Sequence, residues 1–229
     1  TFEEVISLRN VGSVQISPDG KDIVFTVSST DWSENRYDTE IWFSHNGDKP
    51  FRLTNTPKNS SSYPRFSPDG KWIAFMSDRG NKNQIHAIRT HGGEAMSVTN
   101  EEDGVSNYEW HPAGKRILFI KTEKESDGRK EREKRYGSFE TDDRDYRLSH
   151  LWQIAFNPEM PDPAGFPCYE TVDSLKEQAG CIVLPKPERL TEGNFTVSTF
   201  SVSPDGSKIA FTHRPDPLII SGLRTDISI

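Results

Sequence analysis

A four-residue corner, Ser-Pro-Asp-Gly, punctuates this chain, and a short apolar run follows it each time. Ile16-Ser17-Pro18-Asp19-Gly20-Lys21-Asp22-Ile23-Val24-Phe25 is the first copy and Ser67-Pro68-Asp69-Gly70-Lys71-Trp72-Ile73-Ala74-Phe75 the second. Val202-Ser203-Pro204-Asp205-Gly206-Ser207-Lys208-Ile209-Ala210-Phe211 is the last. A worn copy lies between them: Trp110-His111-Pro112-Ala113-Gly114-Lys115-Arg116-Ile117-Leu118-Phe119. Proline presets the first bend of a tight turn, and aspartate bonds back to nearby amides. Glycine accepts the positive φ that a side chain resists. The apolar runs that follow suit half-buried to buried strands.

Each unit continues in a shared pattern. A third strand is written as Glu40-Ile41-Trp42-Phe43, Gln84-Ile85-His86-Ala87-Ile88 and Leu151-Trp152-Gln153-Ile154. A fourth closes on Phe51-Arg52-Leu53-Thr54, Met96-Ser97-Val98-Thr99 and Glu188-Arg189-Leu190-Thr191. Equivalent glycines stand 50, 44 and 92 residues apart, and periods near 40–50 with four strands per unit mark propeller blades. The competing architecture, a β-sandwich with chance turns, does not account for the matching later strands.

The sequence therefore predicts an all-β chain: a partial β-propeller of four-stranded antiparallel blades over residues 1–229, with three full repeats and part of a fourth. The blades are expected at about 14–56, 61–100, 105–191 and, incomplete, 197–229, with insertions near 121–150 and 157–187. Residues 1–13 read as an amphipathic lead-in, helical around Glu3 to Leu8. Propellers close with about four to eight blades, so the chain is expected to be a piece of a larger protein.

With 32% hydrophobic and 28% charged residues, thin sheets stacked face to face fit better than one thick core. A net charge of −7 argues against a nucleic-acid partner, whose affinity would rest on excess Lys and Arg. No run approaches the ~18–20 apolar residues of a membrane span, so no membrane partner is expected. No Cys/His/carboxylate spacing resembles a zinc site. Asp19, Asp69 and Asp205 sit in separate turns rather than in a calcium cage. Neither a metal nor another cofactor is expected. His111, in place of a repeat serine, and His213, at a strand end, read as structural.

Cys168 and Cys181 share the second insertion. In an exported protein a disulfide between them would pin that loop, stabilising it by ~3 kcal/mol; in the cytosol they would be two thiols. Both alternatives stay open, with a periplasmic or secreted location slightly favoured over the cytoplasm. The sequons Asn59-Ser60-Ser61 and Asn194-Phe195-Thr196 are too common to decide it.

The first insertion is charge-segregated: Lys121 to Arg147 holds nine basic and nine acidic residues. Its basic half is Arg129-Lys130-Glu131-Arg132-Glu133-Lys134-Arg135, and its acidic half runs from Glu140 to Asp145. A solvated loop is the plain account. An ordered segment is the sharper alternative, resting on aromatics interleaved at Tyr136, Phe139 and Tyr146.

Repeated Ser-Pro-Asp-Gly-Lys-x-Ile-Ala-Phe, with Arg-Leu-Thr closing the unit, resembles the TolB-like propeller repeat. The opening Phe2-Glu3-Glu4-Val5-Ile6-Ser7-Leu8-Arg9-Asn10-Val11-Gly12-Ser13 resembles the start of the propeller in prolyl oligopeptidase-family serine peptidases, of the acylaminoacyl-peptidase and dipeptidyl aminopeptidase type. The resemblance covers most of the chain. It implies a Ser-Asp-His triad on an α/β-hydrolase domain, with the serine on a Gly-x-Ser-x-Gly elbow. The nearest text here, Gly104-Val105-Ser106-Asn107-Tyr108, lacks the last glycine and leads into a strand. No catalytic residue is therefore expected in this segment.

The partners the resemblance implies are a C-terminal α/β-hydrolase domain of the same parent protein and a short peptide substrate, with a homo-oligomer an open alternative. Dipeptidyl aminopeptidases of this family can hold a substrate's free amine with propeller carboxylates. Glu140, Asp142, Asp143 and Asp145 are the candidates for such charge-assisted bonds, and no one of them is singled out. Arg144 and Arg147 would bind a substrate carboxylate or pair with these acids. The competing class is a non-enzymatic TolB-like module that binds a protein or peptide.

Overall fold

Each Ser-Pro-Asp-Gly corner closes a hairpin in the same way. The hydroxyl of Ser17, Ser67 or Ser203 donates to the carboxylate of Asp19, Asp69 or Asp205 (2.6, 2.6 and 2.5 Å). The same serine oxygen accepts the amide that opens the next strand, from Asp22, Trp72 or Lys208 (2.9, 3.0 and 2.9 Å). In the worn copy His111 stands in for serine, its Nδ1 accepting the Ala113 amide at 3.1 Å. All four glycines, Gly20, Gly70, Gly114 and Gly206, sit at φ between 69° and 75°.

The structure is a computed structural model and describes residues 1–80, 82–137, 146–157 and 185–229. The first sheet comprises β1 (Asn10–Ile16), β2 (Asp22–Asp31), β3 (Arg36–His45) and β4 (Phe51–Arg52). The second comprises β5 (Ser61–Phe66), β6 (Trp72–Ser77), β7 (Gln84–Arg89) and β8 (Met96–Ser97). The third comprises β9 (Ser106–Trp110), β10 (Arg116–Thr122), β11 (Ser149–Ala155) and β12 (Glu188–Arg189), and the fourth β13 (Thr196–Val202), β14 (Ile209–Arg214) and β15 (Asp226–Ser228). Strands pair antiparallel in chain order within each sheet. Helices α1 (Phe2–Ile6) and α2 (Asp127–Tyr136) are the α-helical elements among the described residues.

Successive sheets pack face to face, as the blades of a partial β-propeller do. Val24, Ile41 and Phe43 of the first meet Ile73, Phe75 and Ile88 of the second. The opposite side of β6, Trp72, Ala74 and Met76, meets Tyr108, Trp110, Ile117 and Phe119 of the third. Leu118, Ile120 and Leu151 then meet Val197 and the half-buried Phe200, Val202, Ile209 and Phe211 of the fourth. Both faces of β6 are thus covered, which explains why it reads as an unbroken apolar run rather than an alternation.

The Arg-Leu-Thr ending proves to be a latch. The hydroxyl oxygens of Thr54, Thr99 and Thr191 accept the amides of Ile41, Ile85 and Leu151 in the third strands (2.9, 2.9 and 3.0 Å). A buried polar residue precedes each of those amides: Glu40, Gln84 or His150. Thr54 donates to the Glu40 carboxylate, Thr99 to Gln84 Oε1 at 2.8 Å, and Thr191 Oγ1 lies 3.3 Å from His150 Nδ1. Two-residue outer strands are held this way, where two ladder bonds alone would fray.

Two features were not read from the sequence. Each first strand carries a bulge: its register slips between Gly12 and Gln15, between Ser62 and Arg65, across Asn107, and between Val197 and Thr199. In the first three sheets the extra residue, Ser13, Tyr63 or Asn107, takes a positive φ of 44–52°, which strengthens local twist. The basic half of the first insertion forms α2, capped by the Ser126 hydroxyl on the Arg129 amide (3.3 Å). It buries no residue, so no hydrophobic period could announce it. Its signals were the Ser126 cap and a Gly-free run from Arg129 to Tyr136.

Candidate functional site

Antiparallel order divides the molecule into two ends. The proline corners and the turns from third to fourth strands lie at one end. The hairpins from second to third strands and the connectors to the next sheet lie at the other. The first end is tightly stacked: a Cβ on Gly70 would lie 3.6 Å from Pro18, one on Gly114 3.7 Å from Pro68, and one on Gly206 2.6 Å from the His111 ring. The second end carries α1, the first insertion and most of the paired charge, and it is the candidate functional surface.

At this end the β2–β3 hairpin receives the lead-in. Thr30 donates to the Ile6 carbonyl (2.5 Å) and the Trp32 indole to the Ser7 hydroxyl (3.3 Å). The hairpin tip is ordered by Asp31, which accepts the Ser33 hydroxyl and the Ser33 and Glu34 amides. The Ser33 hydroxyl is the first of the groups that hold its carboxyl below the usual range. A ladder of alternating charge then runs inward: Arg36 to Asp38 (3.3 Å), Asp38 to Arg52 (3.3 Å), Arg52 to Glu40 (2.9 Å). Glu40 is buried, and Thr54, the Thr56 amide and Arg52 complete its coordination. A buried carboxylate is tolerated only with partners of this kind.

The first insertion is anchored on the connector between the second and third sheets. Three consecutive acids there, Glu101, Glu102 and Asp103, meet four cations of the insertion. Lys121 pairs with Glu101 at 2.6 Å and lies over the Trp152 ring at 3.9 Å. Lys124 and Lys130 reach Glu102 at 3.4 and 3.7 Å, and Arg147 reaches Asp103 at 2.9 Å. Nearby, Glu123 accepts from Arg189 at 3.1 Å and faces the buried His150 at 3.4 Å. Burial first, and Arg189 second, lower the His150 pKa against the opposing pull of Glu123 and Glu192.

Of the predicted site residues, Glu140, Asp142, Asp143, Arg144 and Asp145 lie outside the described residues, as do Cys168 and Cys181. Arg147 is described, and it pairs with Asp103, an acid outside the predicted set. The missed participants are Glu101, Glu102 and Asp103; a run of three acids facing a basic insertion was the available signal. Among the described residues no group of three or more His, Cys, Asp or Glu side chains is placed to hold a metal ion.

Turn-and-latch units repeated in successive four-stranded sheets define a β-propeller segment with a charged, loop-bearing end. Residues 5–140 match the TolB beta propeller domain, and the chain belongs to that family. It is 33% identical over 138 residues to an uncharacterized peptidase of Bacillus subtilis (strain 168), YuxL, covering 58% of this chain and 20% of that protein. It is 32% identical over 122 residues to dipeptidyl-peptidase 5 of Porphyromonas gingivalis, covering 53% of this chain and 18% of that protein. The chain thus spans about a fifth of the length of these relatives. Among solved structures, the acylaminoacyl peptidase of Pyrococcus horikoshii superposes with a TM-score of 0.55 at 16% identity, covering 92% of this chain and 29% of that one. TolB of Acinetobacter baumannii superposes at 0.52 and 18%, covering 89% and 39%. At these identities the structural likeness establishes the fold.

Proposed function

We propose that this chain is the propeller portion of a serine exopeptidase or oligopeptidase that hydrolyses short peptides, with catalysis on a C-terminal α/β-hydrolase domain of the same parent protein. The observation that carries the reading is the 33% identity over 138 residues to a protein named as a peptidase, supported by the match to dipeptidyl-peptidase 5. The propeller limits entry to short peptides by size. Carboxylates at 140–145 grip a free α-amine, because an ammonium and a carboxylate form bonds about twice as strong as neutral ones.

The test uses the full-length parent protein. Replacing Asp142→Asn and Asp143→Asn should raise KM for free-amine dipeptidyl substrates at least tenfold and leave N-blocked substrates unaffected. Equal effects on both substrates would reduce the segment to a solvated loop. Absence of labelling by a serine-directed fluorophosphonate would instead favour a non-enzymatic TolB-like module that binds a protein or peptide.

A further inference from the structure

One aromatic position of the repeat is occupied differently in the second sheet. In the first sheet Phe25 of β2 stands opposite Trp42 of β3, and in the third Phe119 of β10 stands opposite Trp152 of β11. At the same register in the second sheet, Phe75 of β6 stands opposite His86 of β7. A titratable ring therefore occupies a position that the neighbouring repeats fill with tryptophan.

That ring is enclosed. His86 is 7% exposed, stacks on Phe75 (centroids 5.7 Å apart, planes at 26°), and neither of its nitrogens has a hydrogen-bond partner. Phe75 faces the first sheet, among Val24, Ile41 and Phe43. The Arg79 guanidinium lies 5.4 Å over the same Phe75 ring, with its Nε donating to Ser77 (3.2 Å). The charges around the ring are few. Arg79, in the turn after β6, is the charged group that acts on it. Glu40 of β3 acts on Arg79 in turn, but its oxygens are taken by Arg52, Thr54 and Thr56. Asp78, beside Arg79, is turned to the Ser60 amide (2.7 Å). Across the sheet, Phe75 and Ser97 carry no charge.

We propose that the seam between the first and second sheets is an acid-sensitive joint, opened by protonation of His86. A second proton on this imidazole creates a cation that is buried, without an acceptor, and close to another cation. Such a group must find water or leave the core. The ring shares its face of the second sheet with Ile73, Phe75 and Ile88, which pack on Val24, Ile41 and Phe43 of the first, so drawing it toward water disturbs the layer that joins the two sheets. The seam between the second and third sheets carries Trp152 at this register and stays closed. The third sheet also holds the buried His150 beside the fourth, but there the Glu123 carboxylate stands 3.4 Å from Nε2 and can accept the bond of a second ring proton without opening the seam. The same burial, with Arg79 second, lowers the histidine to about 4. The joint therefore loosens as pH falls from the unfolded-state value of 6.5 toward 4.

Hydrogen exchange of the chain, corrected for the intrinsic pH dependence of exchange, tests this. Protection of Trp72–Ser77 and Gln84–Arg89 should fall about tenfold or more between pH 7 and pH 4.5, while Arg116–Thr122 and Ser149–Ala155 keep theirs. His86→Trp, which restores the residue of the neighbouring repeats, and the smaller His86→Phe should both abolish the fall. Arg79→Gln, which leaves the histidine in place, should shrink it by relieving like-charge repulsion, and this variant decides the matter if both ring replacements misfold. An equal loss of protection in the third sheet would overturn the proposal. So would an undiminished fall in a folded His86→Phe chain, or in Arg79→Gln.

Discussion

The indole of Trp110 donates to the main-chain carbonyl of Arg65 across 3.1 Å, joining the free edge of one sheet to a side chain of the next. Tyr108 does the same two residues earlier, its hydroxyl reaching the Tyr63 carbonyl at 2.6 Å. On the opposite face of β9, Glu109 accepts the Val202 amide at 3.0 Å. Strand β9 thus offers donors to the carbonyls of β5 and an acceptor to an amide of β13. Unpaired sheet edges invite aggregation, and here the polar atoms of two are partly satisfied from the side.

Tyr108→Phe keeps the ring but removes the O–H that reaches the Tyr63 carbonyl, and should lower stability by ~1 kcal/mol, the net worth of one hydrogen bond. Trp110→Ala empties a buried site and should cost ~3–5 kcal/mol. Denaturant titration measures both. A Phe variant as stable as the parent would show that the edge bond carries no weight.

The threonine latch predicts a specific isostere effect. Thr99→Val preserves shape but strands the buried Ile85 amide and leaves Gln84 Oε1 with only the Glu101 amide as donor, and should cost ~1–3 kcal/mol. Thr99→Ser, which keeps the hydroxyl, should recover most of that loss in thermal melts.

Two proline-corner glycines should respond unequally. Gly20→Ala meets nothing within 4 Å and suffers only the positive φ of 75°, about 1–2 kcal/mol. Gly206→Ala adds a Cβ 2.6 Å from the His111 ring and should cost more. Adding His111→Ser, the residue of the other repeats, should remove the excess and leave only the φ penalty. A double-mutant cycle with no coupling would contradict the stacking of these turns.

Acid sensitivity of the fourth corner follows from Asp205. The hydroxyls of Ser203 and Ser207, then the Ser207 amide, hold its carboxyl down to about 2, from an ordinary value of 3.8. Because the folded pKa is the lower one, this group stabilises the fold above pH 3.8 and loses that contribution as pH falls toward 2. Asp205→Asn should flatten the stability profile between pH 4 and 2. The predicted His86 step, between 6.5 and 4, should remain in that variant. NMR titration of the two side chains separates them.

What could be read in the sequence divides along a physical line. Ser67-Pro68-Asp69-Gly70 specifies its turn within a few covalent bonds, because φ limits and short side-chain bonds act locally. The apolar run from Trp72 to Phe75 likewise declares a strand covered on both faces. Repetition then supplied the architecture, since a unit that cannot bury its faces alone must stack on its neighbours. The candidate end was legible only as charge. That Arg147 would choose Asp103 depends on where an insertion folds back, which no local rule specifies.

By itself, then, the order of residues determined the corners, the strands and the stacked-sheet class, because those rest on dihedral limits and hydrophobic period. Tertiary structure alone decided which polar atoms meet across sheets: Trp110 with Arg65, His111 with Gly206, Lys121 with Glu101. It also decided that His86 would be sealed beside Arg79 while Trp42 and Trp152 hold the same register elsewhere. Such pairings depend on distances between segments far apart in the chain, and a single sequence does not encode those distances in any local pattern.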